Sequence, residues 1–274
     1  MSRSPLVVAV VYPELLGTYG DGGNGLVLAR RAAWRGVPVD LVEVGAGDAL
    51  PNADLYCLGG GEDGPEARAA DSLARDGTLG RAVAAGATVL AVCAGYQVMG
   101  HSFPAADGRP MTGLGLLDVT TVKGAGRRAV GEVVVDPCAV AGVPLPPLTG
   151  FENHSGATSV GPGATPLGPV TAGLGNGGGA DRSEGAWAGR VVGSYHHGPL
   201  LARNPALADL LLGWAIGEGP LPALDDEAER ALRAERIAAA RRRPRALDRL
   251  GRLARLDRLG PTGGIGRLLQ RRRP

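Results

Sequence analysis

Histidine, phenylalanine, cysteine and lysine are all scarce in this chain of 274 residues, which has four, two and three of the first three and a single lysine, Lys123. Each shortage excludes something. One lysine, in a setting unlike a glycine-rich loop ending in Gly-Lys, rules out a Walker-type phosphate loop, so any ATP chemistry that this protein serves is expected on another chain. Cys57, Cys93 and Cys138 are too widely spaced for a disulfide ladder or a zinc pattern, which points to a reducing cytoplasm and to no bound metal. Few phenylalanines beside 46 glycines imply a core of Val, Leu and Ala. No apolar run approaches the ~20 residues that span a bilayer. The opening "MSRSPLVVAVVYP" lacks a small-residue cleavage site and reads as a first strand, not as a signal peptide.

What is present is unevenly distributed. The net charge is +2, yet residues 241–274 hold twelve arginines and two aspartates, a balance of +10 that leaves −8 on the first 240. The body is acidic and the basic character belongs to a tail, which argues against nucleic-acid binding by the body. The length suits one sizeable domain, expected over residues 1–220, with an arginine-rich appendage over 221–274. Within that appendage "DDEAERALRAERIAAARRR" (225–243) predicts a helix with acids early and arginines late, as the helix dipole favours. Beyond it, leucines at 247, 250, 253, 256 and 259 recur every three residues and so drift around a helix. That stretch reads as a solvated or disordered tail, or else as a basic helix on a partner or an anionic membrane surface.

The first half alternates strands and helices. "PLVVAVVYP" (5–13), "VPVDLVEV" (37–44), "ADLYCLGGGED" (53–63) and "ATVLAV" (87–92) are strand candidates, and "GNGLVLARRAAWRG" (23–36) is a helix closed by glycine. This pattern predicts an α/β fold with a mostly parallel sheet flanked by helices, whose ligand site lies beyond the carboxyl ends of the strands. The second half offers short strands between Gly/Pro turns, expected as an antiparallel extension, until "NPALADLLLGWAIGEG" (204–219) returns to helix.

The chemistry centres on "TVLAVCAGYQVMG" (88–100). A strand that ends in cysteine and turns at once into a helix forms an elbow, made sharp by Ala94 and Gly95, which presents the sulfur at the sheet edge. The helix N-terminus is expected to lower the thiol pKa, and its N–H groups suit an oxyanion. A packed strand-end cysteine is the plain alternative, and it fits Cys57 and Cys138. A thiol enzyme also needs a proton carrier. "GSYHHGPL" (193–200) offers His196 and His197, of which alternation along a strand lets at most one face Cys93; His101 and His154 are rivals that spacing does not separate. "GGGED" (59–63) lets the backbone approach a ligand and lend an N–H.

Together, "AVCAGYQVMG", "GGGED" and the late histidine resemble the class I (triad-type) glutamine amidotransferases, in particular their cobyric acid synthase-related branch. "YPELLGTYGDGGN" (12–24), "LTGFENHSGAT" (148–158), "PLGPVTAGLGN" (166–176) and "GSYHHGPLLARNPALAD" (193–209) narrow the resemblance to the glutaminase (GatD) subunits of lipid II isoglutaminyl synthase. The resemblance covers about residues 5–215. It implies a flavodoxin-like glutaminase fold, no cofactor, Cys93 as the nucleophile and His197 as the proton carrier. It further implies Asp21 as the orienting acid, since Pro199 stands where triad amidotransferases carry glutamate. Ala94 with Gly60 or Gly61 would hold the oxyanion, and Arg128, beside Arg127, would meet the glutamine carboxylate. Gln97 falls on the first turn after the elbow, as a substrate contact or a structural residue. Glu62 stands where the family often has glutamine, and Ala94 and Ser155 where it often has glycine. The implied partner is a Mur ligase-like, ATP-using subunit of the MurT type that amidates lipid II at the inner face of the membrane. A corrinoid amidation and a non-catalytic adaptor are the alternatives.

Overall fold

The computed structural model describes residues 4–136, 139–177 and 182–242; Cys138 and the leucine-spaced stretch lie outside the described residues. One compact unit runs to Ala240.

The first half builds a layered sheet from β1 (Leu6–Val11), α1 (Pro13–Leu16), α2 (Gly23–Ala33), β2 (Val39–Val44), β3 (Leu55–Leu58), α3 (Asp63–Asp76), α4 (Thr78–Ala84), β4 (Thr88–Val92) and α5 (Ala94–Met99). β3 and β4 are buried along their whole length and read as unbroken apolar runs, as parallel strands covered on both faces must. β2, at the edge, is mostly exposed.

The second half supplies β5 (Ser102–Pro104), β6 (Pro110–Thr112), β7 (Val119–Lys123), β8 (Ala129–Val135), β9 (Ala139–Val140), β10 (Val143–Pro144), β11 (Leu148–His154), β12 (Gly156–Val160), β13 (Gly168–Ala172), β14 (Ser183–Glu184), β15 (Ala186–Ala188) and β16 (Val191–Ser194). Helices α6 (Leu200–Arg203), α7 (Pro205–Ile216) and α8 (Glu227–Arg242) follow. The main sheet has the order β15-β16-β4-β3-β1-β2. All its pairs are parallel except β15 with β16, so the expected antiparallel extension exists. It is also larger than one sheet, because two further four-stranded sheets, β11-β8-β13-β14 and β12-β7-β5-β6, stand apart from the main one.

Val, Leu and Ala dominate the core, yet Tyr12, Tyr56, Tyr96 and Tyr195 are among its largest fully buried side chains, so tyrosine supplies the aromatic bulk that phenylalanine does not. Among the described residues no helix is long and apolar enough to cross a membrane.

The unit continues past residue 220 because Arg31 holds it there. This buried guanidinium reaches Asp209 on α7 at 2.7 Å and Asp226 at 2.6 Å, and Arg35 adds bonds to Asp209 and to the Pro222 carbonyl. Removing one partner of a buried charge cluster strands the others without compensation. Arg31→Ala is therefore expected to cost about 3–5 kcal/mol, read as a lowered urea midpoint.

Candidate active site

Four neighbouring strands of the main sheet each deliver one part of the site beyond their carboxyl ends. Asp21 follows β1, Gly59–Gly61 follow β3, Cys93 follows β4 and His197 follows β16. The chain leaves β1 for β2 on one side and returns to β3 on the other, so the parts gather at a switch in strand order, where open α/β sheets bind ligands.

Cys93 sits at φ 52°, ψ −106°, a conformation that costs a non-glycine residue about 1–3 kcal/mol. Hydrogen bonds on both sides hold it. Its N–H donates to the Ser194 carbonyl at 2.8 Å, and its carbonyl accepts from the Gln97 N–H at 3.0 Å. The next turn abuts β3: Gly95 N–H donates to the Gly59 carbonyl, and a Cβ there would lie 2.7 Å from Leu58 Cβ. Only glycine fits this approach.

The Asp21 carboxylate organises the rest. Its Oδ2 accepts from His197 Nδ1 at 2.8 Å and from the Gly60 N–H at 2.8 Å. With Nδ1 so occupied, Nε2 is the free imidazole nitrogen, buried and without a hydrogen-bond partner. A Cβ added at Gly60 would stand 2.5 Å from His197 Cε1 and 3.4 Å from Cys93 Cβ, so imidazole and cysteine converge on one point. Tyr19 covers the imidazole edge-on, with ring centroids 4.9 Å apart. His196 points to the other side, as strand alternation requires, and meets Ser194 Oγ at 2.9 Å and Glu184 at 3.2 Å.

A cavity of about 150 Å³ opens beside the elbow, and Cys93, Ala94, Gln97, Gly61 and Arg128 line it. Gly60 does not, and its N–H is already given to Asp21, so of the two glycines Gly61 is the one at the cavity. Arg127 is not on the lining either. Arg128 is, held by Asn153 through its Nε at 2.5 Å. Gln97 lines the cavity and also donates to the Tyr195 hydroxyl at 3.2 Å, so both of its expected roles are compatible with its position. Glu62 and Ser155 are on the wall. Of the rival histidines, His101 is exposed and pairs with Asp118 at 2.9 Å. His154 lines the cavity but lies flat on Tyr195, with ring centroids 3.8 Å apart.

One expectation is corrected. The helix N-terminus does not leave Cys93 as a ready thiolate. The thiol is 7% exposed, and burial, with Glu66 and Asp21 nearby, pushes its pKa up; the Ala94 N–H and Arg128 pull it down by less. Cys57, wholly enclosed, is pushed up to about 12 by burial alone. Desolvation outweighs the Ala94 N–H at the head of the six-residue helix.

Glu66, Lys123 and Asn153 also line the cavity and were not named from the sequence as site residues. Lys123 is the chain's one lysine. Glu66 had a legible signal: it shares the helical stripe 66, 69, 70, 73 with Ala69, Ala70 and Leu73, a carboxylate at a core position.

A strand-end cysteine on a strained elbow, an imidazole–carboxylate pair beside it and a small polar cavity at the edge of a parallel sheet define the class: an α/β protein with a thiol centre of the triad type. The chain belongs to the family of CobB/CobQ-like glutamine amidotransferase domains, which it matches over residues 7–205. It is 34% identical over 223 residues to the glutamine-hydrolysing subunit GatD of lipid II isoglutaminyl synthase from Staphylococcus aureus, covering 79% of this chain and 88% of that one. The same subunit from Streptococcus pneumoniae is 33% identical over 230 residues, 81% and 86% of the two chains. A crystal structure of a glutamine amidotransferase has the same fold, with a TM-score of 0.52 at 19% identity over 76% of this chain and 98% of its own.

A protonated resting thiol has a measurable signature. Because its pKa is raised, the thiolate fraction is small at neutral pH and grows as pH rises. Alkylation of Cys93 by iodoacetamide in the free protein is expected to be slow at neutral pH and to accelerate about tenfold per pH unit towards about pH 10. A rate already at plateau at neutral pH contradicts the assignment.

Proposed function

We propose that this chain hydrolyses L-glutamine and passes the ammonia to a Mur ligase-like, ATP-using partner of the MurT type, which amidates the α-carboxylate of D-glutamate in the lipid II stem peptide. The observation that carries this reading is the 34% identity to a GatD subunit over 88% of that subunit's length. The absence of a phosphate loop supports the division of labour. In this reading residues 1–220 carry the amidotransferase domain, and the heterodimer works in the cytoplasm, where the arginine-rich tail meets the partner or an anionic membrane surface.

The geometry supports a specific course. Substrate enters the cavity with its side-chain amide at Cys93. The Cys93 thiol gives its proton to His197 Nε2 as the sulfur attacks the amide carbon, so a neutral thiol is the competent resting form. The N–H groups of Ala94 and Gly61 receive the oxyanion. Collapse breaks the carbon–nitrogen bond, and His197 returns the proton to the leaving nitrogen, which departs as ammonia. Water then attacks the γ-glutamyl thioester and gives a proton to His197; the carbon–sulfur bond breaks, glutamate leaves and the sulfur is reprotonated. Throughout, Asp21 fixes the Nδ1–H tautomer and steadies the imidazolium.

Glutamate release from glutamine, measured with and without the Mur ligase-like partner, tests the proposal. Cys93→Ala should abolish it. Asp21→Asn should lower kcat on the order of 10²–10⁴-fold, because the imidazole loses its orienting acceptor. No glutamate from the wild-type pair would overturn the reading.

A further inference from the structure

The cavity is bipolar. The N-cap and first turn of α3 supply Glu62, Asp63 and Glu66, while the end of β7 and the residue before β8 supply Lys123 and Arg128. An α-amino acid carries both charges a few ångströms apart, and a cavity with acids from one segment and cations from another suits it. Glu66 is unlike the other two acids. Glu62 and Asp63 are exposed, whereas Glu66 is 4% exposed and its Oε1 has no hydrogen-bond partner. A buried carboxyl oxygen left unpaired costs stability, and nothing in the fold recovers that cost. Residues of this kind are retained where a ligand supplies the missing partner.

We propose that Glu66 binds the α-ammonium group of the amino-acid amide substrate while Arg128 takes its carboxylate, making Glu66 the residue that selects glutamine over amides lacking the amino group. The inference rests on the glutaminase reading of the same cavity. Glu66, Cys93 and Gln97 line the same cavity, and the Glu66 carboxyl acts electrostatically on Cys93 and on Tyr195, the hydroxyl partner of Gln97. It therefore shares with the attacking sulfur the cavity that a bound glutamine would fill. Burial, with Asp63 next to it, pushes the Glu66 carboxyl up to about 9. An acid whose folded pKa lies above its unfolded value stabilises the fold fully below the usual carboxylate range and loses that contribution as pH rises through about 9. At neutral pH the empty cavity thus holds Glu66 as the neutral acid, and an arriving ammonium favours loss of that proton and pairs with the carboxylate.

The test is calorimetric binding of L-glutamine and of glutaramate, the same amide without its α-amino group, to full-length Cys93→Ala protein with and without Glu66→Gln. Glutamine release of glutamate by the wild type is followed in parallel. The expected result is that Glu66→Gln weakens glutamine on the order of 10- to 100-fold, leaves glutaramate within about threefold, and leaves the ligand-free melting temperature unchanged or higher. Glu62→Gln, on the same wall but exposed, should change neither affinity by more than about threefold. Equal binding of the two amides before the change overturns the inference even where the wild type hydrolyses glutamine, as does a preference that survives Glu66→Gln or a large fall in melting temperature. Ammonium-dependent binding through Glu66 without hydrolysis by the wild type would overturn the glutaminase reading and leave this inference standing.

Discussion

One carboxylate oxygen holds the site together. Asp21 Oδ2 accepts hydrogen bonds from an imidazole that follows the fourth strand of the row β1-β3-β4-β16 and from a glycine N–H that follows the second, while its own residue follows the first. Three loops of different sequence origin are thereby fixed to one atom, and the cysteine elbow is packed against the same glycine loop. Two charge-assisted bonds to a buried acceptor are individually strong, and their directions set the tautomer of His197 as well as its place. The imidazole could not keep its free nitrogen towards the sulfur if the acid were absent, because nothing else among the described residues engages Nδ1.

Around that anchor the electrostatics are balanced towards a protonated resting state. The sulfur lies in a poorly solvated pocket with carboxylates nearby, and one guanidinium and one amide N–H oppose them. In the proposed reaction the cost of ionising the sulfur is met only when proton acceptor and electrophile are both in position, so that proton transfer and attack would be a single event that substrate binding licenses.

Much of this was legible in the sequence, for identifiable reasons. The parallel sheet showed in unbroken apolar runs such as Thr88–Val92, which half-exposed strands do not produce. The elbow showed because a small pair after a strand-end cysteine has few other uses. The choice of His197 over His196 came from family resemblance, whereas spacing gave only the rule that the two diverge. The two smaller sheets were not legible. Their strands are short and glycine-broken, and their partners are fixed by distant pairings such as Leu148 with Val135 and Ser102 with Thr120. Nor was the thiol's ionisation, since it depends on enclosure and on Glu66, a residue 27 positions away in the chain that joins Cys93 on one cavity wall only after folding.

The enclosed, protonated sulfur also has a bearing on wear. Peroxides attack the thiolate and largely spare the thiol, so a resting centre of this kind is chemically quiet towards oxidants. In the proposed reaction, vulnerability to sulfenic acid formation would be confined to the brief interval in which the proton has moved to the imidazole, and during that interval the amide carbon would occupy the sulfur's line of approach. The burial that makes ionisation costly thus acts as a shield between turnovers.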